Sequence, residues 1–377
     1  MSQPAQIPGF YYDPQKLKYF RILPSHAAPT AAFYSTASVA TSQRAAARAE
    51  EQTREREERA RACRNPLDKN PHVRGALRAV VGTSAGDVGI VPVRTDGGNL
   101  KADPGDMMPL IHLHSQITSI SHSSQWLLCT SMGERHSPKL HLSHLSHAYP
   151  GQTHSLPNVR SIWTSSASSD TSTPSFLVGT SNSALHITAH PHTTQQTSHR
   201  IKSDVFATCF LPSSSSVFLA GSRDGDMRLF DSRAPSSHAA KGEIVVRHGG
   251  TVTHICALSS ASVIVNGLSR CAVYDLRYPH PRSPSASFAQ ATGATRVYDG
   301  AVREREFMIG RGFDVDTAGG GEVMVLADCE HWVRLYSVIS GEELRRWKWE
   351  SPCTGLKFDG ERRLWASAGK ALECFTY

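Results

Sequence analysis

Apolar residues in this chain come in short runs of strand length, broken at close intervals by turn residues. Residues 217–220 (Val-Phe-Leu-Ala) are such a run, Asp224-Gly225 is a tight-hairpin signal, and residues 227–230 (Met-Arg-Leu-Phe) alternate apolar and polar. The unit is strand, turn, strand, and it closes on Phe230-Asp231-Ser232-Arg233. A second copy runs from Val263-Ile264-Val265 through a short turn to Ala272-Val273-Tyr274-Asp275-Leu276-Arg277. Asp231 and Asp275 stand 44 residues apart. A period of about 40–45 residues with this kind of ending marks one blade of a β-propeller.

Fainter copies fill the rest of the chain. They cover residues 79–91, 117–142, 159–189, 322–336 and 355–375, with Pro92, Ser143, Ala189, Ser337 and Thr376 at the place held by Asp231. Seven copies predict seven blades, so residues 70–377 are expected to form an all-β WD-repeat β-propeller. Uneven spacing falls in stretches rich in Pro, Ser and Gly, such as 279–287 and 310–321. The last copy shows three strands. Its fourth, outer strand is expected from the N-terminal side of the first copy, with residues 73–76 as the candidate, which closes the ring and removes its edges.

Two further segments precede the repeats. In residues 1–37, Phe10-Tyr11-Tyr12 and residues 18–22 are expected to pair as an aromatic hairpin around Asp13-Pro14, followed by an Ala/Ser/Thr-rich linker. An isolated two-stranded hairpin is marginal in water, so docking on folded protein is expected, first of all on the chain's own propeller. Residues 38–66 read as a charged helical arm. They carry the i,i+4 pairs Glu50–Arg54, Glu55–Arg59 and Glu57–Arg61 and no broad apolar stripe.

Charge refines this picture. Of the net +7, residues 1–75 hold 12 Lys/Arg against 7 Asp/Glu, so the repeats are close to neutral. That argues against broad binding of a phosphate backbone and hence against nucleic acid as the main partner. No apolar run is long enough for a membrane-spanning helix, and no signal peptide opens the sequence. The 8 cysteines are dispersed without a Cys-x-x-Cys pair, and Cys209 and Cys256 sit in apolar strand patterns as small hydrophobes. A reduced protein of the nucleus or cytoplasm is expected. His141, His144 and His147 resemble a metal cluster, yet a spacing of three alternates faces on a strand and the ligand set is not closed. The Gly-rich stretches lack the Lys-Ser/Thr that cradles phosphate. No cofactor, no metal and no catalytic constellation is predicted.

The repeated Asp-x-Arg endings are the candidate site. Positions i and i+2 of a strand share a face, so Asp231 with Arg233, and Asp275 with Arg277, can pair. Two roles fit. Either the aspartate satisfies turn amides and the arginine covers it, or two neighbouring blades present equal forks of donors to a partner's carboxylates and carbonyls. Phe-Asp-Ser-Arg and Tyr-Asp-Leu-Arg resemble the Trp-Asp-x-Arg box of WD-repeat substrate receptors of cullin-4 RING ubiquitin ligases. The opening Pro8-Gly9-Phe10-Tyr11-Tyr12-Asp13-Pro14, with Lys18-Tyr19-Phe20-Arg21 and Leu23-Pro24-Ser25-His26, is similar to the start of one member of that family. The resemblance implies a non-catalytic receptor that docks on damaged-DNA-binding protein 1, and through it on cullin-4, to present a protein substrate for ubiquitination. It implies Asp231, Arg233, Asp275 and Arg277 as the adaptor-facing set, with Phe230 and Tyr274 at the place of the box's tryptophan. Two alternatives stand beside it: a scaffold of another complex, and an RNA- or chromatin-associated propeller, for which the basic aromatic hairpin and a pI near 9.0 speak.

Overall fold

A computed structural model describes residues 9–13, 16, 18–24, 39–40, 78–96, 99–133, 135–145, 151–170, 172–190, 193–212, 214–234, 242–278, 293–298, 311–316, 323–328, 330–359, 363–369 and 371–376. The chain divides into two compact units, Met1–Arg64 and Asn65–Tyr377. In the first, Phe10–Asp13 pairs antiparallel with Lys18–Arg21, Tyr11 opposite Phe20 and Tyr12 opposite Tyr19. The expected hairpin is present. The charged arm over 38–66 lies outside the described residues apart from Val39 and Ala40.

In the second unit the repeats become sheets. The five copies from 117 to 348 are each a separate four-stranded antiparallel sheet. In the fourth copy the strands are Val205–Phe210, Val217–Ser222, Asp226–Asp231 and Glu243–Arg247, and in the fifth they are Val252–Ala257, Ser262–Gly267, Cys271–Asp275 and Arg296–Val297. The Asp224-Gly225 turn forms as expected: Gly225 takes φ +86° and its amide donates to the Ser222 carbonyl. Arg228 fastens the same hairpin through Asp226 at 2.9 Å and Ser222 at 2.9 Å.

Second strands are apolar on both faces because a neighbouring sheet covers each side. Trp126–Ser131 and Ser175–Thr180 are buried along their whole length. One apolar layer joins Leu219, Met227 and Val246 of the fourth copy to Val252, Val265 and Tyr274 of the fifth. Another joins Ile264 and Val273 of the fifth to Val315, Met324 and Tyr336 of the sixth. Each fully buried side chain of this size contributes about 1.5–3 kcal/mol of transfer free energy, so these layers between sheets carry the fold.

Closure differs from the expectation. Residues 73–76 lie outside the described residues. Ala371–Thr376 pairs with Arg363–Ala368 on one side and with Asn99–Ala102 on the other, with Ala102 opposite Leu372 and Lys101 opposite Glu373. The physical reason lies in Asp87–Asp96, a ten-residue strand that outruns its own sheet. Its first half pairs with Arg78–Gly82 and Met108–His112, and its second half turns back on Asn99–Ala102. First and last copies thereby share a single seven-stranded sheet.

Candidate functional site

Asp231 and Asp275 end equivalent strands of adjacent sheets. Each carboxylate first ties its own turn: the Arg233 amide donates to Asp231 Oδ1 at 3.0 Å, and the Arg277 amide to Asp275 Oδ1 at 3.0 Å. The next residue closes the turn in both, Ala234 N to Asp231 O at 3.1 Å and Tyr278 N to Asp275 O at 3.2 Å. The guanidinium then folds back as a two-pronged pair. Arg233 Nε and Nη2 reach Asp231 at 2.9 and 2.8 Å, and Arg277 Nε and Nη2 reach Asp275 at 3.0 and 2.6 Å.

The aspartate therefore does tie its turn and the arginine does cover it. The arginine nevertheless stays open to solvent, its side chain 70% exposed in both copies. A guanidinium has five N–H groups, and this geometry uses Nε and one on Nη2. The remaining donors, in a plane fixed by the aspartate, suit an acceptor from outside. The Arg277 hydrogen bond holds the Asp275 carboxyl down at about 2, and the Arg233 hydrogen bond likewise lowers that of Asp231. Both forks are thus charged at any physiological pH.

Phe230 and Tyr274 are placed elsewhere. Each is 1% exposed. Phe230 stacks on Phe218 at 5.2 Å between centroids. The Tyr274 hydroxyl meets His248 Nδ1 at 2.9 Å, and His248 Nε2 meets the Arg270 carbonyl at 2.9 Å. A carbonyl only accepts, so Nε2 carries the proton and Nδ1 accepts from the tyrosine. These aromatics are core groups that set the strand ends. They offer a partner no surface, and their place in the candidate contact set is corrected accordingly.

A residue outside that set does offer surface. Tyr278 is 75% exposed, and Arg277 lies over its ring at 6.0 Å. Its counterpart beside Arg233 is Ala234, so only one of the two turns carries an aromatic. The signal was in the sequence, as Asp-Leu-Arg-Tyr against Asp-Ser-Arg-Ala. Among the histidines, His141 bonds Thr153 at 2.9 Å and His144 packs edge-on against Trp126, while His147 lies outside the described residues.

Comparison with known proteins supplies the fold. The β-propeller domain of Myceliophteria thermophila Cps50 (Swd1) is similar with a TM-score of 0.55 at 15% identity, over 80% of this chain and 99% of that one. The WD40 β-propeller domain of Doa1 is similar at 0.53 and 13% identity, over 80% of this chain and 94% of that one. The fold is that of a WD40 β-propeller. No family model matches the sequence, and no curated protein matches it. In this WD40 propeller the two forks end the third strands of adjacent sheets, and Asn99–Ala102 joins the first repeat to the last.

Proposed function

We propose that this WD40 propeller is a non-catalytic docking module, and specifically a substrate receptor that binds damaged-DNA-binding protein 1 in a cullin-4 RING ubiquitin ligase. The observation that carries the proposal is the repeated fork: Asp231–Arg233 and Asp275–Arg277, equal in turn geometry, with equally exposed arginines and on neighbouring sheets. Equal turns at equal strand ends of successive sheets support the reading of two fixed sets of donors facing one partner, which suits a single protein surface better than two separate ligands. The resemblance of Phe230-Asp231-Ser232-Arg233 and Tyr274-Asp275-Leu276-Arg277 to the Trp-Asp-x-Arg box supports the choice of adaptor. A nuclear or cytoplasmic location goes with it.

The test is capture of the adaptor and cullin-4 by the full chain and by Arg233→Ala, Arg277→Ala and the double variant. Each single change is expected to weaken capture roughly tenfold or more. Thermal melting should hardly move, because exposed ion pairs add little to stability. Full capture by the double variant would refute the docking surface. Capture of other proteins without the ligase components would favour a scaffold of a different complex.

A further inference from the structure

The outer strand of the sixth repeat, Glu343–Lys348, carries Arg345, Arg346 and Lys348. Arg346 and Lys348 lie over the ring of Trp332, at 5.2 and 5.4 Å from its centroid, and Arg345 lies over Trp347 at 5.0 Å. A neutral ring orders a cation without cancelling its charge. The strand's own carboxylate, Glu343, is taken up by the buried Arg334 at 2.8 Å and stands 3.7 Å from Arg346. Among the described residues Arg345 and Lys348 have no carboxylate partner. Among the described residues the strand is the last of its four-stranded sheet and pairs only with Trp332–Ser337. Its register shift falls at the Leu344 end, so 345–348 run regularly along an edge that no other described strand pairs.

We propose that this edge takes up an extended acidic peptide as a fifth strand, with carboxylates two residues apart set against Arg346 and Lys348. Side chains at i and i+2 share a face of a strand, and opposite charges across a strand pair attract. The edge amides and carbonyls supply affinity, and the ordered cations supply selection. The same charges repel a second copy of this strand, which keeps the edge free for a partner of opposite sign. Nucleic acid fits less well. Bases need open aromatic faces to stack upon, and two cations already cover Trp332.

The experiment uses the full chain and a labelled peptide of alternating Glu and Val, read by fluorescence anisotropy at low salt. Saturable binding is expected, weakened roughly tenfold or more by Arg346→Glu with Lys348→Glu. Arg346→Gln with Lys348→Gln should weaken it less, and Arg233→Ala with Arg277→Ala should leave it unchanged. A peptide with its alternate amides N-methylated should fail to bind the unaltered protein, a result independent of how any variant folds. Equal binding of the methylated peptide would overturn the strand, leaving charge attraction alone. Binding indifferent to the charge variants would overturn the site. A single-stranded oligothymidylate held more tightly than the peptide, and lost in the same variants, would assign the patch to nucleic acid instead.

Discussion

Tyr278 and Ala234 stand at the same place in two turns that share every backbone hydrogen bond, so they isolate what one aromatic adds. Tyrosine and arginine are, with tryptophan, the residues enriched at the energetic centre of an interface. Tyr278→Ala should therefore weaken capture of the proposed adaptor several-fold while Ala234→Ser does not. Equal capture by both variants would show that the forks act alone. At a buried position the decisive residue is His248, fully enclosed and lowered to about 4, mainly by burial. The unfolded chain takes up a proton on this group near pH 6.5, whereas the fold resists it. Stability from this group is thus full above pH 6.5 and is lost as pH falls toward 4. At pH 5 the loss is on the order of 1–2 kcal/mol. Melting at pH 7.5 and pH 5 checks this, and His248→Gln should reduce the difference without removing it, because burial also lowers His254 to about 4. Sequence alone could not assign Phe230 or Tyr274. An aromatic before Asp suits a rim contact as well as a core, and only the neighbouring sheet decides which.

Strands and turns were legible because the cadence is local. Alternation, an Asp-Gly turn and a closing Asp-x-Arg lie within about fifteen residues of one another, and a hairpin needs nothing more distant. The Asp224-Gly225 turn can be tested on that ground. Gly225 holds φ +86°, and a Cβ there would meet the Gly250 carbonyl at 3.0 Å. Gly225→Ala should cost about 1–2 kcal/mol and lower the melting temperature, whereas the neighbouring exposed position tolerates Asp224→Asn better. An unchanged melt would mean that the turn adjusts freely. The closing strand was not legible for the opposite reason. Asn-Leu-Lys-Ala at 99–102 has no strand signature of its own, and it pairs with residues at the far end of the sequence. The fork geometry was half legible: spacing gave the pairing of Asp with Arg, but not that the pair closes on itself and still leaves donors outward.

For the whole propeller the critical contact is the junction of first and last repeats. Lys101 and Glu373 are directly opposed across it, at a separation that suits a disulfide between antiparallel strands. Lys101→Cys with Glu373→Cys should form a bridge under oxidation and stabilise the fold by about 2–5 kcal/mol, reversibly on reduction. No gain in melting temperature on oxidation would show that the ring does not close at Asn99–Ala102.

That junction also governs how the protein is made. Its two strands are separated by roughly 270 residues, a contact order at the far end of what a domain can have. At about 5–20 residues per second, a ribosome needs tens of seconds between releasing the first strand and the second. Throughout that interval Asn99–Ala102 waits with one edge unpaired while the middle sheets stack one by one. The nascent chain is an open arc, exposed to strand pairing with other chains, until Ala371–Thr376 emerges and turns it into a ring.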